Sequence, residues 1–176
     1  MKNEPTLKYC DYTLYDVFNC TTPELRDKVI DLWERNKALP EGVNPEERAY
    51  QVAIAVYDSN SEVIGVTTAY EDLFPLYPHP ALIQKPYYYF RLFIQPSSRI
   101  PELFALMTNA TYLILKERVS TQSDNGRDTP EGMAFVAENR KIMRPGLRKK
   151  IKRSHYKLAG RNKLGMDIYI RSFQDS

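Results

Sequence analysis

Apolar Leu25, Val29, Leu32 and Trp33 recur at helical spacing behind Thr22-Pro23-Glu24, and the pattern predicts a first helix running to about Leu39. Threonine offers a capping hydroxyl, proline suits the first turn, and the acid sits near the positive end of the helix dipole. PEGVNPEER then reads as a polar loop. The period changes to that of strands in AYQVAIAVY and EVIGVTTAY, which the turn DSNS joins into an antiparallel hairpin, with Gly65 where something packs close to the backbone. EDLFPLYPHPALIQKP holds four prolines and reads as an ordered loop over one sheet edge. The apolar strand YYYFRLFI follows, and QPSSR leads it into the helix pattern PELFALMTNATYLILKERV. That helix is apolar at Leu103, Phe104, Met107, Ala110, Leu113 and Ile114, a spread that implies burial against a sheet. STQSDNGRDTPEG is a loop, GMAFVA a short buried strand, and MDIYIRSF a terminal strand. Between the last two, Leu147 to Leu158 fits a basic helix with Leu147, Ile151 and Leu158 on one stripe, which turns Tyr156 to the opposite side. With a strand at the N-terminus, this order predicts one α/β (α+β) domain whose central, mixed, mostly antiparallel twisted sheet is flanked by helices.

A chain of 176 residues is long enough to bury a core without disulfides or metal. Cys10 and Cys20 are expected as free, reduced, partly buried thiols. His79, between two prolines, reads as a loop residue, and two histidines provide no zinc cluster, so no metal is expected. The start MKNEPTLKYCDY lacks the regions of a signal peptide, and no apolar run approaches the roughly 18 to 20 residues of a membrane span, which predicts a soluble cytoplasmic protein. The net charge of +3 hides an asymmetry: residues 140–163 hold 11 Lys or Arg and no acid, whereas residues 1–139 hold 13 basic and 20 acidic residues. The basic segment, with Arg148, Lys149, Lys152 and Arg153, fits either an anionic partner such as nucleic acid or a solvated helix face.

The passage from YYYFRLFI through QPSSR into a helix places unpaired backbone N–H groups and the positive end of a helix dipole together, the arrangement with which proteins hold phosphate. A phosphate-bearing cofactor is the expectation. The loop offers Ser97, Ser98, Arg99 and Pro101 in place of the glycines such a cradle commonly uses. In the same strand Tyr87, Tyr88 and Tyr89 alternate faces and either pave the sheet or stack on a ligand ring, and Arg91 must reach solvent or pair with Glu71 or Asp72.

Three pieces in this order carry a resemblance: EVIGVTTAY, FIQPSSR ahead of a helix, and VAEN followed later by HYKLAG. They resemble the third strand, the fourth strand with its cofactor loop, and the fifth strand with its asparagine and later tyrosine in the GNAT superfamily of acyl-CoA-dependent N-acyltransferases, over Thr22 to Ile170. The resemblance implies acetyl-CoA as cofactor and acetyl transfer to an amine by direct attack. It nominates Tyr156 as the acid, the backbone N–H groups of Phe93 and Ile94 as donors to the oxyanion, the loop Gln95, Ser97, Ser98 and Arg99 as the cofactor clasp, and Asn139 beside them. The chain order and the two apolar runs flanking the buried helix predict that the strand at 87–94 neighbours and splays from the strand at 132–137, leaving a V-shaped slot lined by Phe93, Ile94 and Asn139. The base would come from Glu71 or Asp72, or from Glu138. Ile100, Pro101, Glu102, Leu103 and Phe104 stand where the family carries Gly-x-Gly or Gly-x-Ala, and Glu102 puts an anion there. That departure motivates the alternative, a catalytically inactive GNAT-like binding or structural module contacting nucleic acid or an acidic partner through residues 140–163.

Overall fold

The computed structural model describes residues 6–77, 85–121, 129–138, 149, 151 and 153–174. Eight strands hydrogen-bond in the order β1-β2-β3-β4-β5-β6-β8-β7: β1 Leu7–Tyr9, β2 Tyr12–Asp16, β3 Val52–Tyr57, β4 Val63–Asp72, β5 Tyr87–Ile94, β6 Gly132–Val136, β7 Lys157–Arg161 and β8 Asp167–Ser172. The helices whose whole length is described are α1 Pro23–Arg35, α2 Pro45–Ala49 and α3 Pro101–Thr121. β5 and β6 are neighbours, as expected, and pair in parallel through Tyr88↔Met133 and Tyr89↔Ala134. The pairs β1–β2, β2–β3, β3–β4, β6–β8 and β7–β8 are antiparallel, so the mixed, mostly antiparallel expectation holds. The chain divides into two compact units, Met1–Ala69 with Arg91–Thr111 and Tyr70–Phe90 with Tyr112–Ser176.

In the first unit α1 starts as expected: Thr22 caps it by accepting the Leu25 N–H at 3.2 Å. Its buried Leu25, Val29, Leu32 and Trp33 pack with Val52, Ala55, Val63 and Val66 of the β3–β4 hairpin, and half-buried Phe93 joins them. The segment read as a polar loop contains α2. Asn44 accepts from the N–H groups of Glu46 and Glu47 at 2.9 and 3.4 Å, and Pro45 opens the turn, so the same cap logic that marked α1 was present here in five residues. On the other face of β4, buried Thr67 accepts the Ile54 N–H at 3.1 Å and meets Thr111 of α3 at 2.8 Å. Thr111 donates to the Met107 carbonyl at 2.8 Å, which leaves Thr67 to donate to Thr111. Cys10 and Cys20 are exposed, not partly buried as expected.

In the second unit Tyr87, Tyr89, Ala134 and Ile168 form one buried face with Phe74 and Leu76 of the proline-rich segment. The backbone of Tyr77 also pairs with Arg161, so the described part of this loop does lie on the sheet edge. The expected basic helix does not extend to Leu158. His155 has a positive φ of 63° and the Tyr156 N–H donates to the Ile151 carbonyl at 3.3 Å, a left-handed stop to the helical turn. β7 begins immediately afterwards and pairs with β8 through Leu158↔Tyr169 and Arg161↔Asp167. Leu158 is consequently exposed, while Tyr156 is buried. The 100° stripe failed because it was projected across a chain reversal. Arg148, Lys152 and His79 lie outside the described residues; Lys149 and Arg153 are exposed, and Arg161 pairs with buried Asp167 at 3.1 Å. No helix among the described residues is long and apolar enough to cross a membrane.

Gly65 is a close-approach position, as its place in a strand implied: a Cβ there would lie 3.1 Å from the Phe93 carbonyl oxygen and 3.4 Å from both Ile94 and Met107. Gly65→Ala should therefore destabilise the protein by about 1–3 kcal/mol, the cost of overpacking a filled core. Urea denaturation checks this; an unchanged midpoint would mean that β4 and β5 separate without strain.

Candidate active site

β5 ends on a backbone bond, Gln95 N–H to the Ile64 carbonyl at 2.9 Å. Pro96–Ser98 then makes one 3-10 turn, closed by the Ser98 N–H donating to the Gln95 carbonyl at 3.0 Å. Side chains tie it further: Gln95 Nε2 donates to Ser98 Oγ at 3.0 Å, and Arg99 Nε to the Ile94 carbonyl at 2.9 Å. The nominated clasp thus divides into two roles. Gln95 and buried Ser98 bond to each other and stiffen the loop, whereas Ser97 and Arg99 are exposed. Ile94 is buried and Phe93 half-buried, which leaves only their backbone for chemistry.

α3 opens at Pro101, which has no N–H, so its first turn offers the N–H groups of Glu102 and Leu103 without an i−4 acceptor. The donor set suits a diphosphate: one guanidinium held by its Nε, one hydroxyl, and N–H groups at the positive end of a helix. It fits the implied coenzyme in donors and lacks only glycine's closer approach. Glu102 is exposed; burial first, then Cys10 and the charge of Glu102, raise the Tyr9 phenol above its ordinary value.

Among the candidate bases, Asp72 turns its Oδ1 to the Leu73 N–H at 2.8 Å, a local turn contact. Glu71 hydrogen-bonds Tyr88, and burial, followed by the charge of Glu71, pushes that phenol up to about 12 against the opposing pull of Arg118. Glu138 accepts from the Tyr89 hydroxyl at 2.7 Å. Successive strand residues point to opposite faces, and the ring contacts agree: Tyr88 lies against Phe173 at 6.3 Å, Tyr89 against Phe74 at 5.1 Å and Tyr70 at 5.5 Å. Glu71 and Glu138 therefore serve opposite faces of β5 and are alternatives, not partners. All three tyrosines of the run are buried, which decides for paving over ligand stacking.

Tyr156 is buried with its ring edge-on to Phe135 at 5.0 Å, and Phe135 stacks on Tyr169 at 5.2 Å. Its hydroxyl has no hydrogen-bond partner among the described residues. Burial makes this phenol much harder to ionise than an ordinary one, Arg171 opposing and Tyr112 reinforcing the effect. An unpaired buried hydroxyl costs stability. Neither sequence spacing nor helix periodicity signalled its burial. Asn139 lies outside the described residues.

Solved structures resemble this chain along most of its length. A GNAT-family acetyltransferase from Listeria monocytogenes superposes with a TM-score of 0.58 at 14% identity, covering 91% of this chain and 95% of that one. A ribosomal-protein-S5-alanine acetyltransferase from Vibrio fischeri gives 0.58 at 10% identity, covering 96% and 97%. A GNAT-family acetyltransferase from Bacillus anthracis gives 0.57 at 9% identity, covering 99% and 98%. No protein-family model and no curated protein matches the sequence. The chain has the GNAT fold, reached at sequence identities too low to carry more than the fold.

Two outcomes follow from the tyrosines. Tyr156→Phe removes an unpaired buried hydroxyl and should leave stability unchanged or raise it by up to about 1–2 kcal/mol in urea denaturation; a loss of stability would reveal a partner for the hydroxyl. Tyr88 keeps its proton in the folded state where the unfolded chain, at its ordinary 10.0, loses it. Its contribution is complete below about pH 10 and lost as pH rises towards about 12. Tyr88→Phe should flatten that alkaline decline in circular dichroism.

Proposed function

We propose that the protein is an N-acetyltransferase that uses acetyl-CoA and passes the acetyl group directly to a bound amine. The observation that carries this reading is the stiffened β5–loop–α3 junction presenting Arg99 and Ser97, in a chain with the GNAT fold. Arg99, Ser97 and the N–H groups of Glu102 and Leu103 would hold the coenzyme's diphosphate. When bound, the coenzyme supplies an activated acyl thioester. The backbone N–H groups of Phe93 and Ile94 are the candidates to polarise its carbonyl.

The residues nominated for proton transfer belong to the second unit. Glu138, oriented by Tyr89, accepts the proton of the acceptor amine. Glu71, already held by Tyr88, is the alternative on the other face. Tyr156 holds a proton at its Oη, with burial keeping that phenol neutral at every working pH, as an acid for a leaving thiolate requires.

Isothermal titration with acetyl-CoA tests the reading. The parent protein should give a heat of binding, Arg99→Ala should lose roughly 1.5–3 kcal/mol of affinity, the scale of a hydrogen bond to a charged group, and Glu102→Gly should bind equally or more tightly. No heat at millimolar acetyl-CoA would overturn the enzyme reading while leaving the fold intact.

A further inference from the structure

Thr67 of β4 and Thr111 of α3 are both fully buried, and their hydroxyls meet at 2.8 Å. That bond is the middle link of a chain. The Ile54 N–H donates to Thr67 Oγ1 at 3.1 Å, Thr67 donates to Thr111, and Thr111 donates to the Met107 carbonyl at 2.8 Å. The first link has a local cause, because the β3–β4 register shifts between Val52 and Ile54 and the Thr67 side chain takes up the Ile54 N–H there. The middle link goes further than Thr111 needs for itself. Thr108, 1% exposed on the same helix, satisfies its hydroxyl within the helix, on the Phe104 carbonyl at 2.8 Å. Thr111 does the same on Met107 and also accepts from the sheet.

A polar link matters on this helix because apolar packing orients it weakly. α3 is apolar on much of its circumference, and Leu113 is 63% exposed while Thr111, two positions earlier, is fully buried. Hydrophobic burial alone would favour the leucine. A second contact matches the first in spacing: a Cβ on Gly65 would lie 3.4 Å from the Met107 side chain. From Gly65 to Thr67 the strand advances roughly 7 Å, and from Met107 to Thr111 the helix advances about 6 Å. Methionine over glycine and threonine on threonine therefore engage together at one axial position of α3. Glu102, in the first turn, lies about 7.5 Å further back along the helix from Met107, and Gln95 bonds to Ile64, one residue before Gly65. The two contacts thus set where the first-turn N–H groups stand relative to the loop that carries Arg99.

We infer that the Thr67–Thr111 hydrogen bond fixes the axial register of α3 on β4, and that both threonines are positioning residues for coenzyme binding, acting through the first turn of α3. The effect on coenzyme binding rests on the acetyl-transfer reading, whereas the register does not.

Thr111→Val keeps the branched shape and removes the hydroxyl; Thr111→Ser keeps the hydroxyl. Hydrogen exchange on the coenzyme-free protein reads the register. Amides of residues 105–108 should exchange about threefold to tenfold faster in Thr111→Val, relative to those of α1, and regain the parent rate in Thr111→Ser. Isothermal titration with acetyl-CoA should show affinity weakened about threefold to tenfold by Thr111→Val and restored by Thr111→Ser. Val29→Ala, which costs stability in the α1 core, should leave that affinity unchanged, a contrast that loss of stability alone would not produce. Parent-like exchange or parent-like affinity in Thr111→Val, or an equal loss in Thr111→Ser, would overturn the inference. Should Thr111→Val fail to fold, Thr111→Ala removes the same hydroxyl without adding a methyl group and makes the same comparison. Faster exchange in Thr111→Val with no heat from the parent protein sinks the acetyl-transfer reading and leaves the register standing. Heat from the parent with unchanged affinity in Thr111→Val sinks the positioning role alone.

Discussion

A strand with tyrosine at three successive positions, all of them buried, must find a polar partner for hydroxyls on both of its faces, since burying a phenol hydroxyl unpaired costs stability. β5 meets this constraint with carboxylates: Glu131 for Tyr87, Glu71 for Tyr88 and Glu138 for Tyr89. The placement of neighbouring segments follows from it. Glu71 sits at the far end of a β4 that runs ten residues, and Glu131 and Glu138 flank β6 at its two ends. Charges that would otherwise be solvated surface acids become oriented groups at the rim of an apolar face, which is the condition a base needs to act at one place.

The other end of β5 solves a different problem. A buried strand that turns into a helix leaves donors at the junction, and here the chain answers with side chains in place of glycine. Gln95 and Ser98 close the turn on itself and Arg99 leans back on the Ile94 carbonyl. The result is a loop that is fixed before any ligand arrives, with its cation and one hydroxyl still facing water. On the acetyl-CoA reading, this preorganisation is what offsets part of the close backbone approach that the absent glycines forfeit.

Long-period features were legible in the sequence. The cap Thr22-Pro23-Glu24, the β3–β4 hairpin, the close-packed Gly65 and the strand-to-helix passage all appear where the pattern put them, because each is decided by local chemistry. What escaped was short or set by chain reversals. α2 is five residues, too brief for a hydrophobic period although Asn44-Pro45 announced it. The two-stranded start of the chain turns at Cys10 with a positive φ of 51°, a conformation that cysteine does not advertise. β7 was read as the end of a helix because His155 fills the left-handed stop that glycine usually marks. That single substitution of signal also hid the burial of Tyr156. For the candidate site, the loop residues were legible from their neighbours in sequence, whereas the pairing of Tyr89 with Glu138, 49 positions apart, was set by strand pairing alone.

The central claim is that the β5–loop–α3 junction is built to hold a phosphate-bearing coenzyme, and backbone hydrogen exchange with and without acetyl-CoA measures it most directly. The account predicts new protection concentrated in the amides of residues 97–104, where Ser97, Arg99 and the first turn of α3 lie. Protection confined to the basic residues of 149–163, or no change anywhere at saturating acetyl-CoA, would contradict it.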